Sequence, residues 1–496
     1  MSDNAIFLGK SEKPEELFLP MANRHGLVTG ATGTGKTVTL QIMAEGFCRM
    51  GVPVFAADVK GDLSGICMEG EPKDFLIERA KAIGFDDYGM EATPTIFWDL
   101  FGQQGHPIRT TVTEMGPLLL SRFMGLSDAQ EGALNIAFRI ADKEGLALLD
   151  LKDLRALLKE LGERGKEITT EYGNVNAQTI GAIQRRLVVL EEQGGNSFFG
   201  EPALDITDLM RTTPNGRGYM NVLAADKLIN SPQLYATFLL WLMSELFERM
   251  PEVGDPEKPR LVFFFDEAHL LFAEAPAGLL QKIEQTVKLI RSKGVGIYFV
   301  TQNPLDIPES VLAQMGNRIQ HALRAYTPRE QKAVQTAAST FRPNPAFKTV
   351  EVITQLGKGE ALVSVLDLKG VPSMVERTTV RPPSSRMGPI TPEERQKIVK
   401  SSPVYGQYEE AVDRESAYEI LQKAAAERVE AAQKAKEEIE AMKAMKAEKA
   451  EARSSRGRDS ATDRFVKNMA GGLGTTIARS VGNALVRGIL GGLTRK

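Results

Sequence analysis

Three observations predict an α/β protein built as a doubly wound, three-layer core with a helical insertion and a C-terminal helical tail. Short apolar runs alternate with segments of helical periodicity through residues 26–70 and again through 218–375. Right-handed crossovers fold that pattern into a parallel sheet covered on both faces. Leu261 to Phe265 is apolar throughout, as a central parallel strand is. The run ending at Thr29 flows into a glycine-rich turn that opens a helix, which places a helix N-terminus at the carboxyl end of a strand.

Element by element, residues 1–70 form the first part of the core, with about the first 25 residues a short approach. His25 to Thr29 reads as a strand, Val38 to Met50 as an amphipathic helix and Pro53 to Ala57 as a second strand. That strand ends in Asp58-Val59-Lys60-Gly61-Asp62, carboxylates where open α/β sheets bind ligands. Capping of a turn accounts for Asp58 or Asp62 equally well. Residues 71–217 read as a mainly helical insertion, an accessory block with one strand, Thr95 to Leu100. Its helices are Pro117 to Met124, Ala129 to Glu144, Leu151 to Leu161 and Ala177 to Glu192. The core resumes over 218–375 with strand Gly218 to Ala224, helix Pro232 to Met250 and strands Arg260 to Phe265 and Gly296 to Thr301. Ile319 to Arg324 and Ala361 to Leu366 follow as strands paired at the sheet edge. Arg381-Pro382-Pro383-Ser384-Ser385 marks residues 376–408 as a linker. Residues 409–452, rich in Ala, Glu and Lys, predict a long charged helix with a weak apolar seam. Residues 453–496 predict a flexible break, then an amphipathic, glycine-rich basic tail. Oligomerisation helix, membrane-surface helix and disordered segment all remain open for that tail.

Composition narrows the class. The chain has 496 residues, 42% hydrophobic and 25% charged, as folded soluble proteins do. A net charge of −3 argues against a protein basic throughout, but leaves room for a local basic face. Cys48 and Cys67 are the only cysteines, too few for a disulfide framework or a zinc site, and a reducing cytoplasm is the expected compartment. The start lacks the order of a signal peptide, and no run of 18 apolar residues predicts an integral membrane segment. His25, His106, His269 and His321 are scattered, and packing explains them without a metal.

Chemistry concentrates in four places. Gly30-Ala31-Thr32-Gly33-Thr34-Gly35-Lys36-Thr37 fits G-x-x-x-x-G-K-[ST], the loop that wraps the phosphates of a nucleoside triphosphate. Its glycines let the backbone turn its N–H groups toward anionic oxygens. Together with Val38 these residues are the expected contacts of ATP. Lys36 would reach the β- and γ-phosphates, and the Thr37 hydroxyl would hold Mg²⁺. Asp266 and Glu267, at the end of the Leu261–Phe265 run, supply a metal-directed carboxylate and a group that orients or deprotonates water. Gln302, in Thr301-Gln302-Asn303-Pro304, repeats the strand-end pattern with a neutral amide suited to sensing a γ-phosphate. Arg291, on the helix before that strand, is expected to insert into a neighbouring subunit's site and stabilise phosphoryl charge. Arg318 and Arg324 are alternatives for that role, and a solvated helix end explains Arg291 as well.

Taken together, GATGTGKT, the strand-end DEAH, the RSKGVG run and TQNP resemble the HerA/FtsK branch of P-loop motor ATPases over roughly residues 5–370. The chain is most similar to the compact, YjgR-like group of HerA-like proteins. The resemblance implies a RecA-like P-loop core, with Lys36, Thr37, Asp266, Glu267, Gln302 and Arg291 in the family's catalytic roles. It also implies a hexameric homo-oligomer that translocates duplex DNA without reading its sequence. Only about 25 residues precede the phosphate loop, leaving no room for the N-terminal β-barrel of archaeal HerA. Pore loops that would touch DNA phosphates are sought in the insertion, around Arg109 or Arg185-Arg186.

A second reading is a nucleotide-switched scaffold that recruits an unknown protein partner or a membrane surface through its charged helix and tail. A small-molecule kinase is disfavoured, because an Asp-Glu pair with a sensor amide serves water activation.

Overall fold

The computed structural model describes residues 4–454 apart from 174, 229–230 and 273–276. The basic tail, 455–496, lies outside the described residues. The chain divides into two units, residues 1–422 and 423–496.

The first unit is organised by a twelve-stranded sheet. In chain order its strands are β1 (Ala5–Lys10), β2 (Pro14–Phe18), β3 (Gly26–Thr29), β4 (Val54–Asp58), β5 (Thr95–Asp99) and β6 (His106–Pro107). They continue as β7 (Met220–Ala224), β8 (Leu261–Phe265), β9 (Val295–Thr301), β10 (Asn317–Gln320), β11 (Glu360–Ser364) and β12 (Glu376–Val380). The spatial order is β2-β1-β12-β11-β10-β3-β9-β8-β4-β7-β5-β6. From β10 to β6 every neighbouring pair is parallel. From β10 outward to β2 the pairing is antiparallel.

Side-chain alternation splits the buried strands between two helical layers. Val28, Val262, Phe264 and Val300 face one core with Leu40, Met43 and Phe47 of α1 (Lys36–Arg49). Leu27, Phe263, Phe265 and Phe299 face the other. That second core also holds α3 (Val112–Met124), α4 (Asp128–Glu144), α5 (Leu151–Glu163), α6 (Ala177–Glu192) and α7 (Pro232–Arg249); α2 (Asp74–Ala82) precedes them in the chain. The helical block expected as an accessory insertion therefore shares one apolar core with the sheet, and β5 and β6 lie within its limits.

Three expectations need correction. The approach before the first strand contains β1 and β2, which extend the sheet. β1 is buried over Ile6 to Gly9 but its apolar run is only three residues long, and β2 alternates buried with more exposed positions, so both give a short signal. β10 and β11 do pair, Arg318 opposite Ser364, but β12, β1 and β2 lie beyond them, so they are not the edge.

The expected linker 376–408 is the third. It begins as β12, crosses α1 and forms α8 (Pro392–Lys400). Its extended, proline-rich backbone finds partners in α1. Glu45 accepts from Ser384 N at 3.0 Å, Ser385 N at 2.9 Å and Ser385 Oγ at 2.6 Å. The Arg381 guanidinium, also buried, lies 3.2 Å from the same carboxylate. Breaking a buried pair by removing one partner leaves a charge uncompensated. Glu45→Ala is therefore expected to cost about 3 to 5 kcal/mol, read from the denaturant midpoint at unchanged slope.

The long helix α9 (Ala417–Ser454) starts later than predicted. Before it, Arg414 pairs with Glu201 and Ser416 Oγ donates to Asp153, which anchors its first turn. In the second unit, residues 423–454 continue that helix, with Val429, Ile439, Met442 and Met445 more than half exposed. Among the described residues no helix is long and apolar enough to cross a membrane.

Candidate active site

Register brings the site together. β3 pairs with β9 with Thr29 opposite Thr301, and β9 pairs with β8 with Phe299 opposite Phe265. Gly30 is thus level with Gln302, and Glu267 is level with Thr301. Ala57 of β4 lies opposite Phe265, so the residues that follow Asp58 border Glu267.

The glycine loop is shaped by backbone that L-residues disfavour. Gly33 has φ 78° and Gly35 φ 119°. At Gly30 a Cβ would come within 2.5 Å of His321 Cβ. His321 itself is fully buried, near Thr39 Oγ1 (2.8 Å) and the Glu360 carbonyl (2.9 Å). Burial pushes its imidazole down to about 4, so it is neutral at pH 7 and acts as a packing wall for the loop. Lys36 Nζ donates to the carbonyls of Gly30 (2.7 Å) and Ala31 (3.1 Å), folding back along the loop it serves. Burial lowers its pKa, opposed by the charge of Glu267.

The acids behave differently from one another. Asp58 accepts from Gly61 N at 2.8 Å and Leu63 N at 3.2 Å, so it caps the turn that carries Lys60 and Asp62. Burial, then the charges of Asp62 and Asp266, raises Asp58 to about 7. Burial and Glu267 raise Asp266 to about 6. For Glu267, burial acts upward, but the hydrogen bond and charge of Lys60 and the Gln302 amide bring it below the ordinary range. Glu267 also adopts φ 47°, a left-handed backbone that a non-glycine residue holds only when its surroundings impose it. Gln302 Nε2 donates to both Glu267 oxygens (3.2 and 3.3 Å), while its Oε1 accepts from Thr32 Oγ1 at 3.1 Å. The Gln302 amide thus ties the glycine loop to the acid.

A divalent cation fits the donor set. Thr37 Oγ1 lies 3.4 Å from Asp62 Oδ2, and Asp62 Oδ1 is buried with no hydrogen-bond partner. Asp58 and Asp266 are raised by burial first and by neighbouring acids next, against the opposing charges of Arg395 and Lys60. Among the described residues no three acidic, His or Cys groups form a metal centre by themselves; Mg²⁺ is ordinarily held through one or two protein oxygens plus phosphates and water.

Lys36, Thr37, Asp266, Glu267 and Gln302 are therefore brought together. Arg291 is not. It precedes β9, whose seven residues span on the order of 20 Å, and it pairs with Asp255 at 3.2 Å on the opposite end of the sheet. Of its rivals, Arg318 is held inside by the carbonyls of Met315 and Leu312, and Arg324 is exposed. Arg109 donates to the Tyr408 carbonyl at 2.8 Å, an internal anchor and not a free pore cation; Arg185 and Arg186 are exposed on α6.

Asp62, one of the two strand-end carboxylates flagged in the sequence, does face Thr37. Missed there were the role of Lys60, which is adjacent to Glu267 only in space, and a cavity of about 350 Å³ beside Gly35 and Val38. Phe75, Arg79 and Met387 line that cavity. An exposed phenylalanine beside a phosphate loop is the signal that could have flagged it.

The family model for the helicase HerA-like C-terminal region matches residues 3–496. The chain belongs to this HerA-like family. It is 22% identical over 361 residues to the DNA double-strand break repair helicase HerA of Sulfolobus acidocaldarius, across 69% of this chain and 62% of that relative. This HerA-like chain thus spans under two thirds of that relative's length. Among solved structures, it is similar to the bacterial conjugative coupling protein TrwB, with 14% identity, TM-score 0.51 and coverage of 77% of this chain and 91% of that one. TrwB in complex with the non-hydrolysable GTP analogue GDPNP gives 13% identity, TM-score 0.50 and coverage of 75% and 90%. These likenesses establish the RecA-like P-loop fold of the HerA-like chain.

Proposed function

We propose that the chain is a Mg²⁺-dependent ATPase that works as a homo-oligomeric motor on DNA. The observation that carries this is the convergence of Lys36, Thr37, Asp266, Glu267 and Gln302 at the carboxyl ends of three adjacent parallel strands. In this reading, backbone N–H groups of Gly33 to Lys36 and the Lys36 ammonium cradle the phosphates. Thr37 and Asp266 would hold Mg²⁺, with Asp62 beside them; bound there, the ion neutralises charge on the β- and γ-oxygens. Glu267 aims a water at the terminal phosphorus, and Gln302 reports the γ-phosphate to it. The purine stacks in the cavity lined by Phe75. Phe75→Ala is expected to weaken ADP and ATP binding alike by about tenfold, in line with the loss of one base–aromatic stack, as measured by calorimetry.

Among the described residues no arginine stands beside Glu267 and Gln302, and in this reading Arg291 of a neighbouring copy completes the site in a ring. Support for DNA comes from the family and from the helicase named HerA that the chain resembles. ATP turnover measured at low salt with and without duplex DNA tests this half. Stimulation by several-fold is expected, weakening as salt rises. Slow turnover indifferent to DNA would instead favour a nucleotide-switched scaffold.

A further inference from the structure

We propose that Lys60 is a latch on Glu267, released when the terminal phosphate of a bound triphosphate draws the ammonium to itself. The inference rests on the ATPase reading above. Lys60 Nζ donates to Glu267 Oε1. Gln302 Nε2 reaches both oxygens, and His269 Nδ1 lies 3.3 Å from Oε2. A carboxylate has about four acceptor sites; Lys60 takes one, and the Gln302 amide spans both oxygens, with His269 beside Oε2. Lys60 therefore competes with an attacking water for Oε1.

Of the three, Lys60 is the most accessible and the longest-stemmed. Its side chain is 45% exposed against 38% for that of His269, and the Gln302 amide is also held by Thr32. Its ammonium ends a flexible four-carbon stem. It projects from the turn capped by Asp58, the same turn that places Asp62 against Thr37 of the phosphate loop. A γ-phosphate seated on Lys36 would lie next to it and carries more negative charge than one carboxylate. Diphosphate lacks that group, so the latch distinguishes substrate from product. Lys60 is thus a cation shared between the acid and the substrate, and its transfer couples substrate arrival to freeing of Glu267.

The test uses the full chain with Mg²⁺ and two probes, ADP and the non-hydrolysable analogue AMP-PNP, titrated by calorimetry. Lys60→Met is expected to weaken AMP-PNP about tenfold, the scale of one lost charge-assisted contact, and to leave ADP within about twofold. Lys60→Arg should restore the preference. Glu267→Gln should tighten AMP-PNP in the wild-type background and lose that effect when combined with Lys60→Met, a non-additivity that a merely structural lysine would not give. Should Lys60→Met lose ADP binding through misfolding, Lys60→Gln reads the same ratio. An unchanged AMP-PNP to ADP ratio in the folded variant, or equal tightening by Glu267→Gln in both backgrounds, overturns the latch alone when the wild type binds and hydrolyses ATP. A wild type that binds neither probe overturns the latch and the ATPase reading together.

Discussion

Arg291→Ala is expected to lower ATP turnover roughly 10³- to 10⁵-fold, the scale of an arginine finger, while ATP binding stays intact. The basis is geometric. Arg291 sits at the amino end of β9, and Gln302 follows its carboxyl end, so no side-chain movement brings this arginine to its own chain's phosphates. A loss of that size would have to come from a second copy. At 40% exposed, and paired among the described residues with Asp255, itself 55% exposed, Arg291 is available to leave its partner for a phosphate. Exposed pairs of this kind contribute little to stability, so the variant should melt within about 2 °C of the wild type. Mixing Arg291→Ala with Glu267→Gln subunits should recover part of the activity, since some interfaces then hold an intact acid facing an intact arginine. If no ratio of the two gives rescue, Arg291 does not act between subunits.

Glu267→Gln is expected to reduce turnover about 10²- to 10⁴-fold, the range for loss of a general base, with ATP binding kept. An amide has the size of the acid, so the site should hold its shape, while its single acceptor oxygen weakens the hold on Lys60. What it loses is the capacity to take a proton or to orient water by accepting two hydrogen bonds. A fall in binding equal to the fall in turnover would mean Glu267 serves the ground state and not the transition state. Solution mass with AMP-PNP present would then show whether the arrested protein is assembled, and the ring reading expects the larger species.

How far the sequence could be read follows from how local each feature is. The phosphate loop is contiguous: an apolar run, glycines, a lysine and a helix follow one another between residues 26 and 49 and carry their own context. Asp266 and Glu267 were legible because five apolar residues announce a central strand and its end is marked by charge. The order of β3, β9 and β8 in the sheet was not written anywhere local, yet it alone makes Gln302 a neighbour of both Thr32 and Glu267. Lys60 read as one cation in a polar turn. Only the pairing of β4 with β8 sets it against the acid. Arg381 to Ser385 misled for a different reason. Proline and serine signal a linker when backbone partners are assumed to be strands, and here the partner is the carboxylate of one helical residue, Glu45. Arg109 looked like a free cation because its acceptor, the Tyr408 carbonyl, comes from a segment about 300 residues away.

The strand that carries the phosphate loop bears on how this protein is made. β3 spans residues 26–29, but its two flanking strands are residues 295–301 and 317–320. During synthesis at about 5–20 residues per second, tens of seconds would pass between emergence of the loop and emergence of its supports. A nascent or prematurely terminated chain ending before residue 320 would carry the lysine and threonine without the scaffold that aims them. Only a polypeptide translated well past its middle presents the glycine loop between both of its flanking strands.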